Sequence, residues 1–180
     1  MEDLSLHILD IVENGTRAGA TLVDISITED ASNDLLSITV RDNGRGMRRD
    51  MAEKTRDPFV TTRTTRRVGM GLSLLHQAAQ EAGGDLSIES EPDRGTCVCA
   101  TFQASHIDRK PLGDMGSTMI TLILGNPDVD FVYHSDFDGE ETRLDTREIR
   151  AELEEPLFIS HPAVLNVIRD LFNKDPGKPE

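Results

Sequence analysis

The order of local patterns constrains this fold more than any single motif does. An apolar stripe at helical spacing over Leu4 to Ala18 is followed by two alternating segments, and a second helical segment, Leu72 to Ala82, is followed by two more. The strand segments are Leu22 to Thr28, Leu35 to Arg41, Asp85 to Glu91 and Thr96 to Gln103. Strands joined by tight turns pair antiparallel, and their apolar face needs a covering layer. We therefore predict an α+β fold, a two-layer α/β sandwich with a mainly antiparallel sheet and its helices on one face.

The residues after 104 carry a second set of patterns. We predict a first domain over residues 1–104, a connector over 105–116 and a small mixed C-terminal extension over 117–180. Three strands are predicted in the extension, at Thr118 to Leu124, Val129 to Ser135 and Glu141 to Asp145. The turn signal Asp138-Gly139 lies between the last two. Two helices are predicted to follow, at Thr146 to Glu155 and Pro162 to Phe172.

Net charge and apolar patterning exclude several classes of partner. The 180 residues hold 19 basic and 33 acidic side chains, a net charge of −14, which repels nucleic-acid backbones and anionic lipid. The first residues have no basic signal-peptide region, and the longest apolar runs are too short to span a bilayer. We predict a cytoplasmic protein that binds neither nucleic acid nor membrane.

The two cysteines, Cys97 and Cys99, lie one residue apart on a predicted strand and so share a face. Two residues cannot supply the four ligands of a structural zinc site, and a disulfide scaffold is excluded. We predict two reduced thiols, with a redox or shared-metal role as the alternative.

The strand that ends at Arg41 runs directly into Asp42-x-Gly44-x-Gly46-Met47. Gly44 and Gly46 stand where a backbone turns tightly or approaches a ligand closely. The alternative is an Asp-initiated turn with two convenient glycines.

Three further motifs accompany this one in order: Asp10-x-x-x-Asn14, Gly69-x-Gly71 and Gly95-Thr96. With them, residues 1–104 resemble the ATP-binding domain of histidine kinases, gyrase-type topoisomerases, MutL-type repair proteins and Hsp90-type chaperones, the GHKL family, which has the Bergerat fold. Residues 57 to 102 look most like the histidine-kinase branch. Val12-Glu13-Asn14 and Ala18-Gly19-Ala20-Thr21 look more like the MutL-type branch.

The resemblance implies ATP and Mg²⁺ as cofactors, with Asn14 as the metal ligand and Arg17 as a phosphate contact. It also implies that the Asp42 carboxylate accepts the exocyclic amine of adenine, whereas the oxygen of guanine would be repelled. Gly44 and Gly46 would let the backbone approach the base, and Met47 would offer it a flexible apolar surface. The helix that opens at Gly69 to Gly71 would offer unpaired amides to the phosphates. The residues implied in nucleotide binding are Asn14, Arg17, Asp42, Gly44, Gly46, Met47, Phe59, Thr62, Arg63, Gly69, Gly71, Leu72 and Thr96.

Asp10 stands where the hydrolytic branches carry a catalytic glutamate, so it is the candidate general base. Aspartate is one methylene shorter, which places its carboxylate further from an attacking water, and we expect slow turnover. His7 lies one turn earlier and could orient Asp10 or act itself, although an isolated helical histidine is more often structural.

Residues 41–67 are basic in an otherwise acidic chain. They hold nine basic and four acidic side chains, 9 − 4 = +5, and include Arg63, Arg66 and Arg67. Such a segment suits a loop that closes over polyphosphate. A solvated charged loop is the alternative.

We predict a histidine-kinase-like ATPase domain that regulates or phosphorylates a separate protein, since no phosphoacceptor hairpin precedes it in this sequence. The enzyme would be an ATP hydrolase or a protein kinase acting in trans. The alternatives are a slow MutL-like ATPase with Asp10 as base, in which a dimer forms, and a non-catalytic adenine-nucleotide sensor in a redox complex. The chain also resembles small proteins encoded beside iron-only hydrogenases, which suggests a hydrogenase or another redox complex as partner.

Overall fold

A computed structural model describes residues 3–47, 70–153, 158–175 and 177 of the chain. These residues form six strands and five helices. The helices are α1 (Leu4–Arg17), α2 (Met70–Glu81), α3 (Met115–Gly125), α4 (Thr146–Glu152) and α5 (Pro162–Phe172). The strands are β1 (Leu22–Asp30), β2 (Leu35–Asp42), β3 (Leu86–Glu91), β4 (Gly95–Gln103), β5 (Asp130–Phe137) and β6 (Glu140–Asp145). In this part of the chain, no helix combines the length and the apolar character needed to cross a membrane.

The six strands form one sheet in the order β3-β4-β2-β1-β5-β6. Every neighbouring pair is antiparallel except β1 and β5, which run parallel. Alternate side chains of each strand are buried against the helices, as the period-2 patterns predict. The predicted sandwich with a mainly antiparallel sheet is therefore confirmed.

The prediction of a strand at Thr118 to Leu124 is wrong, because these residues lie in helix α3. Asp114 begins the helix, and its side chain accepts a hydrogen bond from the Ser117 amide at 2.9 Å. Helix α3 packs between α1 and α5, so most of its surface is buried and its apolar residues follow no one-sided period. A short apolar run of this kind does not distinguish a buried strand from a buried helix.

The other predicted elements of the C-terminal region are confirmed as a β5–β6 hairpin and two helices. Asp138 and Gly139 turn the hairpin with φ of 53° and 91°. The hairpin joins the sheet through β1, in register from Leu22 with Asp130 to Glu29 with Phe137. The division of the chain into a domain, a connector and an extension stays a prediction.

The C-terminal elements attach beside β1, where β5 pairs with it, and at α1. Both thiols are free and half-buried on the face opposite the buried Val98 and Ala100. The shared strand face that was predicted for the two cysteines is confirmed.

The start of α1 is held by the residues that follow the last strand of the first region. The Asp3 side chain accepts from the Leu6 amide, while the amides of Leu4 and Ser5 donate to the carbonyls of Pro111 and Leu112 at 2.9 and 2.8 Å. These contacts satisfy amides that the helix itself leaves unpaired. Helix α1, which carries the candidate residues Asp10, Asn14 and Arg17, is thereby fixed at its first turn.

Candidate functional site

Asp42 ends β2 with its carboxylate buried at the helical layer. The residue is 9% exposed, and its Oδ1 accepts a hydrogen bond from the Gly44 amide at 2.8 Å. Burial raises the pKa of this carboxyl, while the backbone N–H groups of Gly44 and Thr96 oppose the shift. A buried carboxylate has lost most of the water that would solvate it. It is therefore a strong acceptor for a hydrogen-bond donor that takes the place of that water.

Gly15 lets helix α1 approach this carboxylate. A Cβ at position 15 would lie 2.9 Å from the Asp42 Cβ and 3.1 Å from its Oδ2. Only a residue without a side chain fits there unless Asp42 moves. Sequence reasoning missed this residue, because its role depends on a contact between α1 and β2 that no local pattern shows.

The loop after Asp42 folds against the β3–β4 hairpin. Gly46 has φ of 62°, and a Cβ there would lie 2.0 Å from the Glu91 carbonyl oxygen, so glycine is required. The Met47 amide donates to Ser90 Oγ at 2.8 Å, and this hydroxyl also shares a hydrogen bond with Thr96 Oγ1 at 2.9 Å. Ser90, which sequence reasoning missed, thus connects two predicted nucleotide residues.

Asp10 and Asn14 lie one turn apart on the same half-buried edge of α1. Asp10 faces the first turn of α2, because a Cβ at Gly71 would lie 2.8 Å from Asp10 Oδ2. Gly15 lies five positions after Asp10, which is about 7.5 Å along a helix at 1.5 Å per residue. The edge of α1 therefore runs from the start of α2 to the Asp42 carboxylate.

Two of the predicted nucleotide-binding residues already make other contacts in the structure. Arg17 is exposed and forms an ion pair with Glu13, so contact with a phosphate would require that pair to open. Leu72 is 5% exposed and belongs to the hydrophobic core. Four of the predicted residues lie outside the described residues, as do Arg66 and Arg67: these are Phe59, Thr62, Arg63 and Gly69.

His7 lies one turn before Asp10 and is completely buried. Within the described ranges, it is the one buried side chain with nitrogens that lack a hydrogen bond of good geometry. Burial lowers its pKa to about 4, with Lys110 and the amino terminus acting in the same direction and Asp10 and the Gly71 backbone opposing them. The ring is therefore neutral at physiological pH.

The described residues contain no group of three or more His, Cys, Asp or Glu side chains that could hold a metal ion. Mg²⁺ needs no such group, since it is commonly held by one or two protein oxygens together with water and phosphate. Asn14 fits this role because its side chain offers a neutral amide oxygen and the residue lies on the same half-buried edge of α1 as Asp10.

Relatives of known sequence match about half of the chain. It is 30% identical over 99 residues to the non-motile and phage-resistance protein of Caulobacter vibrioides, a match of 52% of this chain and 12% of that protein. It is 31% identical over 98 residues to a probable C4-dicarboxylate sensor kinase of Halalkalibacterium halodurans, with 52% and 18% covered. The chain thus spans less than a fifth of these relatives' lengths.

Among solved structures, the chain resembles the N-terminal domain of a DNA repair protein, with a TM-score of 0.54 and 15% identity over 81% of this chain and 53% of that one. This match supports the fold alone. The family model for the histidine kinase-, DNA gyrase B- and HSP90-like ATPases matches residues 2–106. The matched residues contain helices α1 and α2 and strands β1 to β4. Asp10 and Asn14 lie in α1, and Asp42 ends β2. The chain belongs to the histidine kinase-, DNA gyrase B- and HSP90-like ATPase family.

Proposed function

We propose that this protein binds ATP with Mg²⁺ along the edge of α1. The adenine amine is bound by Asp42, the metal by Asn14, and the phosphates by the first turn of α2. Support comes from the two ends of that edge, where Gly15 packs on the Asp42 carboxylate and Asp10 packs on Gly71. Unpaired amides at the start of a helix favour phosphate.

The observation that carries the proposal is the Asp42 carboxylate, which is buried and hydrogen-bonded by the Gly44 amide. A carboxylate that has lost its water is costly unless it gains a donor. The adenine amine is such a donor, whereas the carbonyl oxygen of guanine would face the same carboxylate as a second acceptor. The proposed ligand is therefore an adenine nucleotide in preference to a guanine one.

Calorimetric titration with ADP, with and without magnesium, tests this assignment. Asp42→Asn should weaken ADP binding by about 10- to 100-fold, since a hydrogen bond to a charged group contributes about 1.5–3 kcal/mol. Asp128→Asn, at an exposed loop position, is the matched control and should bind as the unmodified chain does. Equal affinity of Asp42→Asn and the control would refute the adenine assignment.

We further propose that the nucleotide-bound protein acts in trans, by regulating or phosphorylating a separate cytoplasmic protein. Relatives named as sensor kinases support this reading. Hydrogenases and other redox complexes are the first partners to test, given the resemblance noted above. After incubation with γ-labelled ATP and a candidate partner, label on the partner would support phosphotransfer, and intact ATP would support a sensor that only binds.

ATP hydrolysis is the second candidate function, and the placement of Asp10 against Gly71 favours it. A carboxylate at the first turn of α2 would lie beside the bound phosphates, where a general base can activate water. Asp10→Asn should then abolish phosphate release and leave ADP affinity unchanged. Equal phosphate release by Asp10→Asn and the unmodified protein would exclude Asp10 as the base.

A further inference from the structure

Cys97 and Cys99 lie on the face of β4 that points away from the core, and the proposed nucleotide site uses neither of them. Both thiols are free and half-buried, while Val98 between them is buried. Successive side chains of a strand alternate between faces, so the two cysteines project side by side. At 3.3–3.4 Å per residue, their Cα atoms lie about 6.7 Å apart. Two sulfurs are thereby held next to each other on one face of a paired strand.

This spacing suits a bridging ion better than it suits a disulfide. Cα atoms joined by a disulfide are most often about 5.5–6 Å apart, with about 6.8 Å as the usual upper limit, and the sulfurs approach to about 2.05 Å. Such a bond would contract β4, which is paired with β2 on one side and β3 on the other. An ion with metal–sulfur bonds of about 2.3 Å holds the sulfurs about 4.6 Å apart and leaves the strand at its regular length.

The available ligands decide which ion fits. The two cysteines and five histidines of the chain are all among the described residues, and these residues contain no group of three or more His, Cys, Asp or Glu side chains that could hold a metal. His134 shares a cross-strand row with Cys99 but lies three strands away, about 14 Å. Structural zinc and iron–sulfur clusters need four ligands. Thiolates also favour Cu(I), a soft monovalent ion for which two ligands are enough.

The charges around the pair fit a complex of two thiolates with one monovalent ion. Binding of Cu(I) releases both thiol protons to solvent, and the complex carries a net charge of −1. The Arg41 guanidinium donates to Cys97 Sγ at 4.0 Å and supplies the opposite charge. Glu89 is the partner of Cys97 on β3 and attracts cations towards the pair.

We propose that Cys97 and Cys99 form a binding site for one Cu(I) ion, held between the two sulfurs beside the Arg41 guanidinium. The site is separate from the proposed nucleotide site. Thr96 and the Asp42 carboxylate lie on the helical side of the sheet, whereas the cysteines lie on the other side. A failure of nucleotide binding would therefore leave this proposal unaffected.

Anaerobic titration of the reduced protein with Cu(I), against a chromogenic Cu(I) chelator as competitor, measures stoichiometry and affinity. We expect one ion per chain, with the ultraviolet charge-transfer absorption of copper–thiolate bonds. Cys97→Ser and Cys99→Ser should each abolish tight binding, because a single thiolate cannot bridge. Arg41→Gln should weaken binding about fivefold, the effect of a unit charge at this distance in water. Thr101→Ser, on the same face of β4, is the matched control and should bind as the unmodified chain does.

X-ray absorption of the copper-loaded protein gives a readout of the ligands themselves, and we expect two sulfur neighbours with no nitrogen or oxygen. Urea unfolding of both serine variants should match that of the unmodified chain, which separates loss of the site from loss of the fold. Unmodified affinity in either serine variant, a stoichiometry other than one ion per chain, or a third ligand in the absorption spectrum would overturn the proposal.

Discussion

Substitution of Gly15 by alanine tests the site without altering any polar group. The new methyl would lie 2.9 Å from the Asp42 Cβ and 3.0 Å from its Cγ, closer than such atoms pack, so the carboxylate must move. Where nothing is in the way, alanine in place of a glycine in a helix stabilises that helix by about 1 kcal/mol. The same change at Gly125, in the last turn of α3, meets nothing within 4 Å and measures that gain alone.

The expected loss follows from the hydrogen bond that Asp42 would make to the ligand. If displacement removes a charge-assisted bond of about 1.5–3 kcal/mol, ADP affinity falls by about 10- to 100-fold. The Gly44 amide, which donates to Asp42 Oδ1, should lose protection from hydrogen exchange at the same time.

Calorimetry with ADP and urea unfolding of both variants provide the comparison. We expect Gly15→Ala to lose affinity while it remains folded, and Gly125→Ala to bind as the unmodified protein does. ADP affinity of Gly15→Ala within twofold of the Gly125→Ala value would refute the reasoning, since the carboxylate would then not be the base-binding group.

Three further outcomes concern stability. The pKa of His7 is about 4 in the folded protein and about 6.5 in the unfolded chain, so the unfolded chain takes up the proton first as the pH falls. The contribution of His7 to stability is therefore complete above pH 6.5 and is lost towards pH 4. In urea unfolding we expect the free energy of unfolding to fall by about 2 kcal/mol between pH 7.5 and 5, and His7→Leu should remove this dependence. Deletion of residues 117–180 should give insoluble protein, because it removes β5 and α3 and uncovers β1 and α1; soluble protein that binds ADP would contradict this. Asp175→Ala should cost about 3 kcal/mol in urea unfolding, since the buried hydroxyls of Tyr133 and Ser135 lose the acceptor they reach at 3.0 and 3.1 Å; a loss below about 1 kcal/mol would contradict it.

Strands with one buried face could be predicted from sequence because their pattern is local. The alternation in Leu22 to Thr28 and Leu35 to Arg41 marks both strands, and the glycines around Asp42 mark the loop that follows. Helix α3 could not be recognised in this way, because burial on several sides erases its period. The parallel pairing of β5 with β1 joins residues more than a hundred positions apart, and no local pattern encodes it.

The residues of the candidate site also fall into those that a local pattern indicates and those that depend on contacts between elements. Asp42 was predicted because its motif directly follows a strand pattern, and it ends β2 in the structure. Asn14 was predicted from the family resemblance, and it lies in α1 one turn after Asp10. Gly15 and Ser90 act through contacts between elements, so their types and spacing carry no signal. His7 was noted beside Asp10, but its complete burial depends on how the elements pack and is visible only in the structure.

The strand order leaves β3 and β6 as the two outermost strands of the sheet. Each is only six residues long, and their free borders include the carboxylates of Glu89, Glu91, Glu140 and Glu141. Short, acidic borders resist the addition of a strand from another molecule, because like charges would be brought together. Two copies of this chain would therefore associate through helices or loops, and a continuous intermolecular sheet is disfavoured.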